Sequence, residues 1–372
     1  MKRFTSLAAC ALLAVSACVT PETTARTCAG VAVGQRLLVL EGDLRATSGL
    51  GVVGADGCLT EVAGGLALGG DTAIAASRGQ ALVLDRDEGI VHRVDPEALQ
   101  IVESLRAYRD GEPRSNPQDA AVDAAGRRWV TRFDRPSLAV LGEGGALTEI
   151  DLGAHADADG IPEAAAIHME GDVAHVALQK LDAEAADAIY PPTGPGVVLS
   201  IPAEDPSAMH AVDLVGQNPF GRFSGAPWDA GLLAIATPGV FDAISPDDGV
   251  DLVDTVAGEA RQIVAEDALG GSATEAILAG PTEAYAIAAG PEAGVNPTRV
   301  VAFDPETGKV TRVLAEAAGY YHWGLALAGD HVAVGDRTPG RARIVFFDRK
   351  TGAQVAEIPT QRLAPVSIVP AP

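Results

Sequence analysis

Three features of this 372-residue sequence predict an all-β protein, a seven-bladed β-propeller of four-stranded antiparallel blades. A unit of turn, strand, turn and strand occurs twice in succession between Asn116 and Asp182. Starts resembling it recur at intervals of about 40 to 60 residues, the range of blades built from four short strands. The two chain ends also complement each other, so that the C-terminal strand pairs with N-terminal strands and closes the ring.

Taken in order, the chain begins with a signal segment over residues 1–17. Lys2 and Arg3 form its basic start, Leu7 to Val15 its apolar run and Val15-Ser16-Ala17-Cys18 a processing site. The cysteine after small residues resembles a bacterial lipobox, which implies cleavage before Cys18 and lipidation of that residue. The alternative is an ordinary secretory cut near Ala17. Several acyl chains on one cysteine, at about 0.8 kcal/mol per buried methylene, hold a protein on a membrane durably. No later run approaches the ~20 apolar residues of a membrane-spanning helix, so contact with membrane is expected through the anchor only. Residues 18–30 read as the lipidated Cys18 and a tether, with Val19 to Arg26 rich in Thr and Pro. Residues 31–372 read as one propeller domain.

Cys10 and Cys18 belong to the signal and anchor, which leaves Cys28 and Cys58 as the expected disulfide of an exported protein. In the chain-entropy model, closing a loop of about thirty residues contributes on the order of 3.5 kcal/mol. The formal charge is −23, and losing Lys2 and Arg3 with the signal takes it to −25. Such a surface repels nucleic acid and anionic head groups. Aromatic residues make up only 4% of a chain that is 47% hydrophobic, so Val, Leu, Ile and Ala must fill the core.

Within the body, blade starts are placed near Leu66, Gln118, Glu163, Gly221, Ala273, Gly324 and Pro365. Short apolar runs between glycine turns mark strands, as at Gln80 to Leu84, Ser137 to Leu141, Val197 to Ile201, Arg299 to Phe303 and Arg343 to Phe347. Asp304-Pro305-Glu306-Thr307-Gly308 and Asp348-Arg349-Lys350-Thr351-Gly352 read as turns joining third and fourth strands. No segment keeps a helical period with caps. The last start leaves room for one strand before Pro372, while Arg36 to Leu40, Gly49 to Val53 and Leu59 to Val62 offer three strands without a first. Their pairing completes a seventh blade without an open edge on the ring. A pair of β-sandwiches is the weaker alternative at this length and spacing.

Trp129-Val130-Thr131-Arg132-Phe133-Asp134 with Leu138-Ala139-Val140-Leu141, and Val300 through Val310 with its Asp-Pro-Glu-Thr-Gly turn, resemble the YVTN-type, surface-layer-like propeller repeat. Trp129 stands where that repeat has tyrosine. The Asn-Pro-Gln-Asp, Asp-Gly-Ile-Pro-Glu, Asn-Pro-Phe-Gly and Pro-Val-Ser-Ile-Val segments look like those of exported bacterial lipoproteins of the same group. The resemblance implies the fold, and it implies little about function, because propellers host enzymes, receptors and scaffolds alike.

In a propeller, the turns leading into first strands and the loops after second strands emerge on one face. Polar residues at those places converge on the channel mouth: Asn116, Gln118, Asp119, Arg132 and Asp134; Asp157, Asp159, Glu163, Gln179 and Lys180; then Asn218, His322, Asp336 and Arg337. Arginine and carboxylate at close range suit a polar ligand or a partner's side chains. The alternative is that these residues cap strands and tie blades together. The stretch His155-Ala156-Asp157-Ala158-Asp159-Gly160 resembles the start of a calcium loop, but His155 and Ala166 occupy the first and twelfth ligand positions. A looser site for Ca2+ or another divalent cation on Asp157, Asp159 and Glu163 competes with a simple Asp-capped turn.

The long loop from Asp182 to Thr193 overhangs the same mouth, and Tyr320-Tyr321-His322-Trp323 opens a blade. The seven histidines show no paired metal spacing, and the chain has no nucleophile elbow or phosphate loop. The expected function is a non-catalytic binding or scaffold module, anchored in the cell envelope, that recognises an envelope protein or surface polysaccharide. A metal-dependent hydrolase or lactonase with an acidic site at the mouth is the alternative, and a purely structural envelope component the third. No cofactor is established. Val19 in place of an inner-membrane retention Asp favours the outer membrane.

Overall fold

The computed structural model describes residues 24–62, 66, 68–185, 190–241, 243–290 and 297–372. The signal segment and Cys18 lie outside the described residues. The rest folds as a seven-bladed β-propeller, six blades having four antiparallel strands and the closing blade five. Blades 1 to 6 begin with Thr72–Ser77, Pro117–Val122, Ala164–Glu170, Phe220–Ala226, Ser272–Gly280 and His322–Ala328. These first strands, with Pro365–Pro370 of blade 7, contact one another in sequence around the ring axis.

The pattern of burial explains why short apolar runs suffice. Successive side chains on a strand point to opposite faces, and each face of a blade meets a neighbour, so both faces are apolar. Seven separate hydrophobic clusters result, one at each junction between blades. Val, Leu, Ile and Ala dominate them, as the scarcity of aromatics requires. Trp129 is an exception at the junction of blades 2 and 3, where its buried indole donates to Asp123 at 3.0 Å. The expected Asp-to-Gly turns join third and fourth strands. In each the Asp side chain accepts from the turn backbone (Glu306 N to Asp304, 2.9 Å; Thr351 N to Asp348, 2.7 Å), while Gly308 and Gly352 take left-handed φ of 69° and 73°.

Ring closure follows the expected pairing. Pro365–Pro370 is the inner strand of blade 7 and pairs with Leu37–Gly42, which continues to Ser48–Val53 and Cys58–Val62. Two expectations change. Part of the stretch read as tether, Thr24–Cys28, is a fifth, outermost strand paired with Cys58–Val62. Cys28 and Cys58 stand opposite in that register and form the disulfide, so the bridge staples this added strand to the blade. The inner strand of blade 1 begins at Thr72 rather than near Leu66. Leu66 and Leu68 pack into the cluster between blades 7 and 1 as loop residues, and Gly70 passes so close to Arg45 that a Cβ there would lie 2.2 Å from backbone. One helical turn, Glu266–Leu269, precedes blade 5, and no helix among the described residues is long and apolar enough to cross a membrane.

Candidate functional site

Alternating strand directions bring the turns leading into first strands and the loops after second strands to one face, here called the upper face. On blade 3 the acidic residues Asp157, Asp159 and Glu163 act together on one object, the long loop after the second strand. Asp157 accepts from the Thr193 hydroxyl at 2.8 Å, Asp159 from Ala183 N at 3.4 Å, and Glu163 from Leu181 N at 2.9 Å. Lys180 adds its carbonyl, which takes both donors of Thr193, and Asp182 N bonds Pro191 O at 2.9 Å. The loop is thereby pinned at both ends, and it carries Tyr190 edge-on against Phe133 of blade 2, with ring centroids 6.2 Å apart. Burial, reinforced by the charges of Asp159, Asp157 and Asp134, pushes the Glu163 carboxyl up to about 8. Glu163 and Lys180 both adopt left-handed φ, 45° and 56°, a conformation side chains rarely take outside over-determined turns.

A buried amide chain links this loop to the next. Gln179 donates to Asn218 at 2.7 Å, and Asn218 donates to Gly239 O at 2.9 Å. Asn218 leads into Phe220 and Gly239 into Phe241, and those rings meet edge-on at 5.3 Å. Gly239 has φ of 53° and presses on Asp248, so that a Cβ would fall 2.1 Å from that carboxylate. Tyr190, Phe220 and Phe241 remain 46%, 39% and 38% exposed, with Val240 and Ile244 beside them also exposed. Three rings thus stand in solvent, with the half-buried Phe133 supporting Tyr190, on segments fixed from below by hydrogen bonds. The pairs were not legible in the sequence, because each joins residues on different segments of the ring.

The blade 2 residues are brought together differently from what the sequence suggested. Asn116 donates to Asp134 at 3.3 Å and receives Gln118 at 2.6 Å. Asp119 is buried and accepts from Ala120 N and, across the blade junction, from Ile167 N at 3.0 Å; burial raises its carboxyl to about 6. Arg132 does not meet these carboxylates. It is 1% exposed and turns outward along its own blade to Glu149, at 2.6 Å, and to Ser137.

On blade 6, Arg337 latches the ring: it donates to Ala364 O, Pro365 O and Gly42 O of blade 7 and lies over Trp323, 5.2 Å from the ring centroid. Asp336 pairs with Arg343 at 2.8 Å, a partner the sequence did not single out. His322 sits beside them and contacts Thr298 O at 3.3 Å. Arg222, also not anticipated, leaves the inner strand of blade 4, pairs with Glu275 at 2.6 Å and reaches Ile368 O of blade 7 at 2.9 Å. It therefore extends across the ring axis. Among the described residues, no group of three or more His, Cys, Asp or Glu side chains is arranged to hold a metal ion.

No protein-family model matches the chain, and no curated protein matches it. The likeness to solved structures is one of fold. Apo AztD from Citrobacter koseri is 14% identical with a TM-score of 0.57, the match covering 94% of this chain and 98% of that one. Kuenenia stuttgartiensis hydrazine synthase is 17% identical at a TM-score of 0.57, covering 80% and 89%. Virginiamycin B lyase from Staphylococcus aureus is 10% identical at 0.53, covering 91% and 99%. Enzymes and other proteins share this architecture, so it does not decide the function.

Proposed function

We propose that this protein is an exported, lipid-anchored binding propeller, tethered through Cys18 in the cell envelope, that holds an envelope partner on its upper face without chemistry. The observation that carries this reading is the set of exposed rings Tyr190, Phe220 and Phe241, held in edge-on contacts, Tyr190 against the half-buried Phe133 and Phe220 against Phe241, on segments of blades 2 to 4. In a chain with so few aromatic residues, rings held in solvent by a hydrogen-bonded scaffold suit a recognition surface, where aromatic anchors carry most binding energy. The polar residues beneath them support the same reading, since Asp157, Asp159, Glu163, Gln179 and Asn218 hold the loops in place.

The test is cross-linked capture from intact envelopes, comparing the native chain with a Tyr190→Ser, Phe241→Ser variant. Removing two anchors is expected to cut retention of the captured species by about tenfold or more, with thermal unfolding unchanged because both side chains are exposed. Equal retention by both forms would remove the upper face from consideration. Cys18→Ala is expected to shift the protein from the membrane fraction to the soluble fraction.

A further inference from the structure

A cleft of about 500 Å³ separates the outer strand of blade 5 from blade 6, away from the aromatic loops. Leu314, Val334, Val345 and Phe347 supply its apolar wall, and Tyr321, His322, Arg341 and Gln354 line it with polar groups. We propose that this cleft binds a neutral saccharide.

The chemistry of His322 carries the argument. The residue is 7% exposed, and its Nδ1 meets the carbonyl oxygen of Thr298 at 3.3 Å. A carbonyl accepts only, so Nδ1 bears the proton and Nε2 is left as a lone-pair acceptor. Nε2 takes no hydrogen bond from the described residues, although the ring lines the cleft. Burial also keeps the ring neutral by holding its pKa below the ordinary value. The ring thus offers the cleft a fixed acceptor for a ligand that brings a donor.

The buried charges of the cleft are paired with one another. Arg343 is neutralised by Asp336 at 2.8 Å and Glu357 at 2.6 Å, and the remaining Asp336 oxygen accepts from the amide and hydroxyl of Thr338. Glu316 at the margin pairs with Arg299 at 2.9 Å. What remains for a ligand is the imidazole acceptor, the Tyr321 hydroxyl and the largely exposed Arg341, whose nearest carboxylate, Glu357, lies at 3.8 Å. An acceptor, a hydroxyl and a guanidinium beside an aliphatic and aromatic wall match a sugar. Its hydroxyls both donate and accept, and its C–H faces are apolar.

The test titrates the purified chain with maltose, cellobiose and N,N′-diacetylchitobiose, and separately with sodium acetate, sulfate and ethylammonium, following the ring nitrogens of His322 by 15N NMR and the sugars by saturation transfer. The expected result is a saturable change at Nε2 with at least one saccharide, weakened about fivefold by Arg341→Ala. His322→Phe is expected to abolish saturation transfer while circular dichroism and the unfolding midpoint show an intact fold. His322→Gln, which retains an acceptor, should restore part of the binding. A response to an ion and to no saccharide would overturn the proposal, as would no response to any probe or sugar transfer that persists in folded His322→Phe. Tyr190→Ser and Phe241→Ser leave sugar binding unchanged, because those residues belong to blades 3 and 4 and the cleft to blades 5 and 6.

Discussion

Blades 2 and 3 carry consecutive copies of one sequence unit, yet use its polar residues for different ends. In blade 2 the second and third strands are joined across four residues, 133–136, and the polar groups tie strands together: Arg132 to Glu149 and Asn116 to Asp134 within the blade, and Asp119 to Ile167 N of blade 3. In blade 3 the corresponding connection runs from 179 to 194, and the carboxylates before the first strand reach out to hold it. The same placement of a carboxylate therefore serves as a fold staple when the loop is short and as a loop anchor when it is long. The two blades meet again at the surface, where the short loop's Phe133 supports the long loop's Tyr190.

The largest expected difference between them is in global stability. Arg132→Met removes a fully buried guanidinium and strips the Ser137 and Ala107 carbonyls of their donor, while Glu149 keeps only Arg109 at 3.3 Å. A loss of about 3 kcal/mol is expected, seen as a lower denaturant midpoint with an unchanged slope. Asp157→Asn in blade 3 should leave that midpoint within about 0.5 kcal/mol of the native value. If the blade 3 change unfolds the protein as readily as the blade 2 change, the distinction between staple and anchor is wrong.

The sequence made the staple half of this comparison visible only as residue types. Strand runs, Asp-to-Gly turns and the missing first strand of the closing blade are local signals, and they placed six of seven blade starts within a few residues. Partner choice is not local. Arg132 was expected to face carboxylates at the mouth, but the side chain of a second-strand residue can equally lie along its own sheet toward Glu149. Arg222 reaches Ile368, 146 residues away, because ring curvature brings opposite blades to one axis. Asp157, Asp159 and Glu163 were recognisable as a cluster, whereas their common target was not, since the loop's return to Thr193 depends on tertiary packing. The aromatic pairs were hidden for the same reason.

A middle-sized effect separates the anchor of blade 3 by pH. The Glu163 carboxyl is raised from 4.5 to about 8 chiefly by burial, so the folded form favours its protonated state. For an acid whose pKa rises on folding, the stabilisation is fully present below the unfolded value and is lost as pH rises through the folded one. Protection of the loop is thus expected to decline between about pH 4.5 and 8. Hydrogen exchange at the Leu181 and Asp182 amides, corrected for intrinsic rate, should speed up about tenfold across that window. Glu163→Gln should flatten the response while blade 2 amides stay protected in both forms. A pH response of equal size in Glu163→Gln would assign it to another group.

The smallest effect isolates a single contact. Thr193→Val keeps the shape of the side chain but removes the hydroxyl that joins Asp157 at 2.8 Å to the Lys180 carbonyl at 3.1 Å. These bonds lie at the surface, where water replaces them, so the cost is about 0.5–1 kcal/mol. That cost falls on local opening of the loop, because the strands beneath keep their ladders. Exchange at the Asp182 amide, which bonds Pro191 O at 2.9 Å, should rise about threefold, with no change in the unfolding midpoint. The Phe133–Tyr190 contact should loosen with it, which would be read as weaker partner retention without any loss of the Phe220–Phe241 surface. If Thr193→Val instead lowers the global midpoint by as much as Arg132→Met, the long loop is part of the structural ring, and blade 3 follows the rule of blade 2.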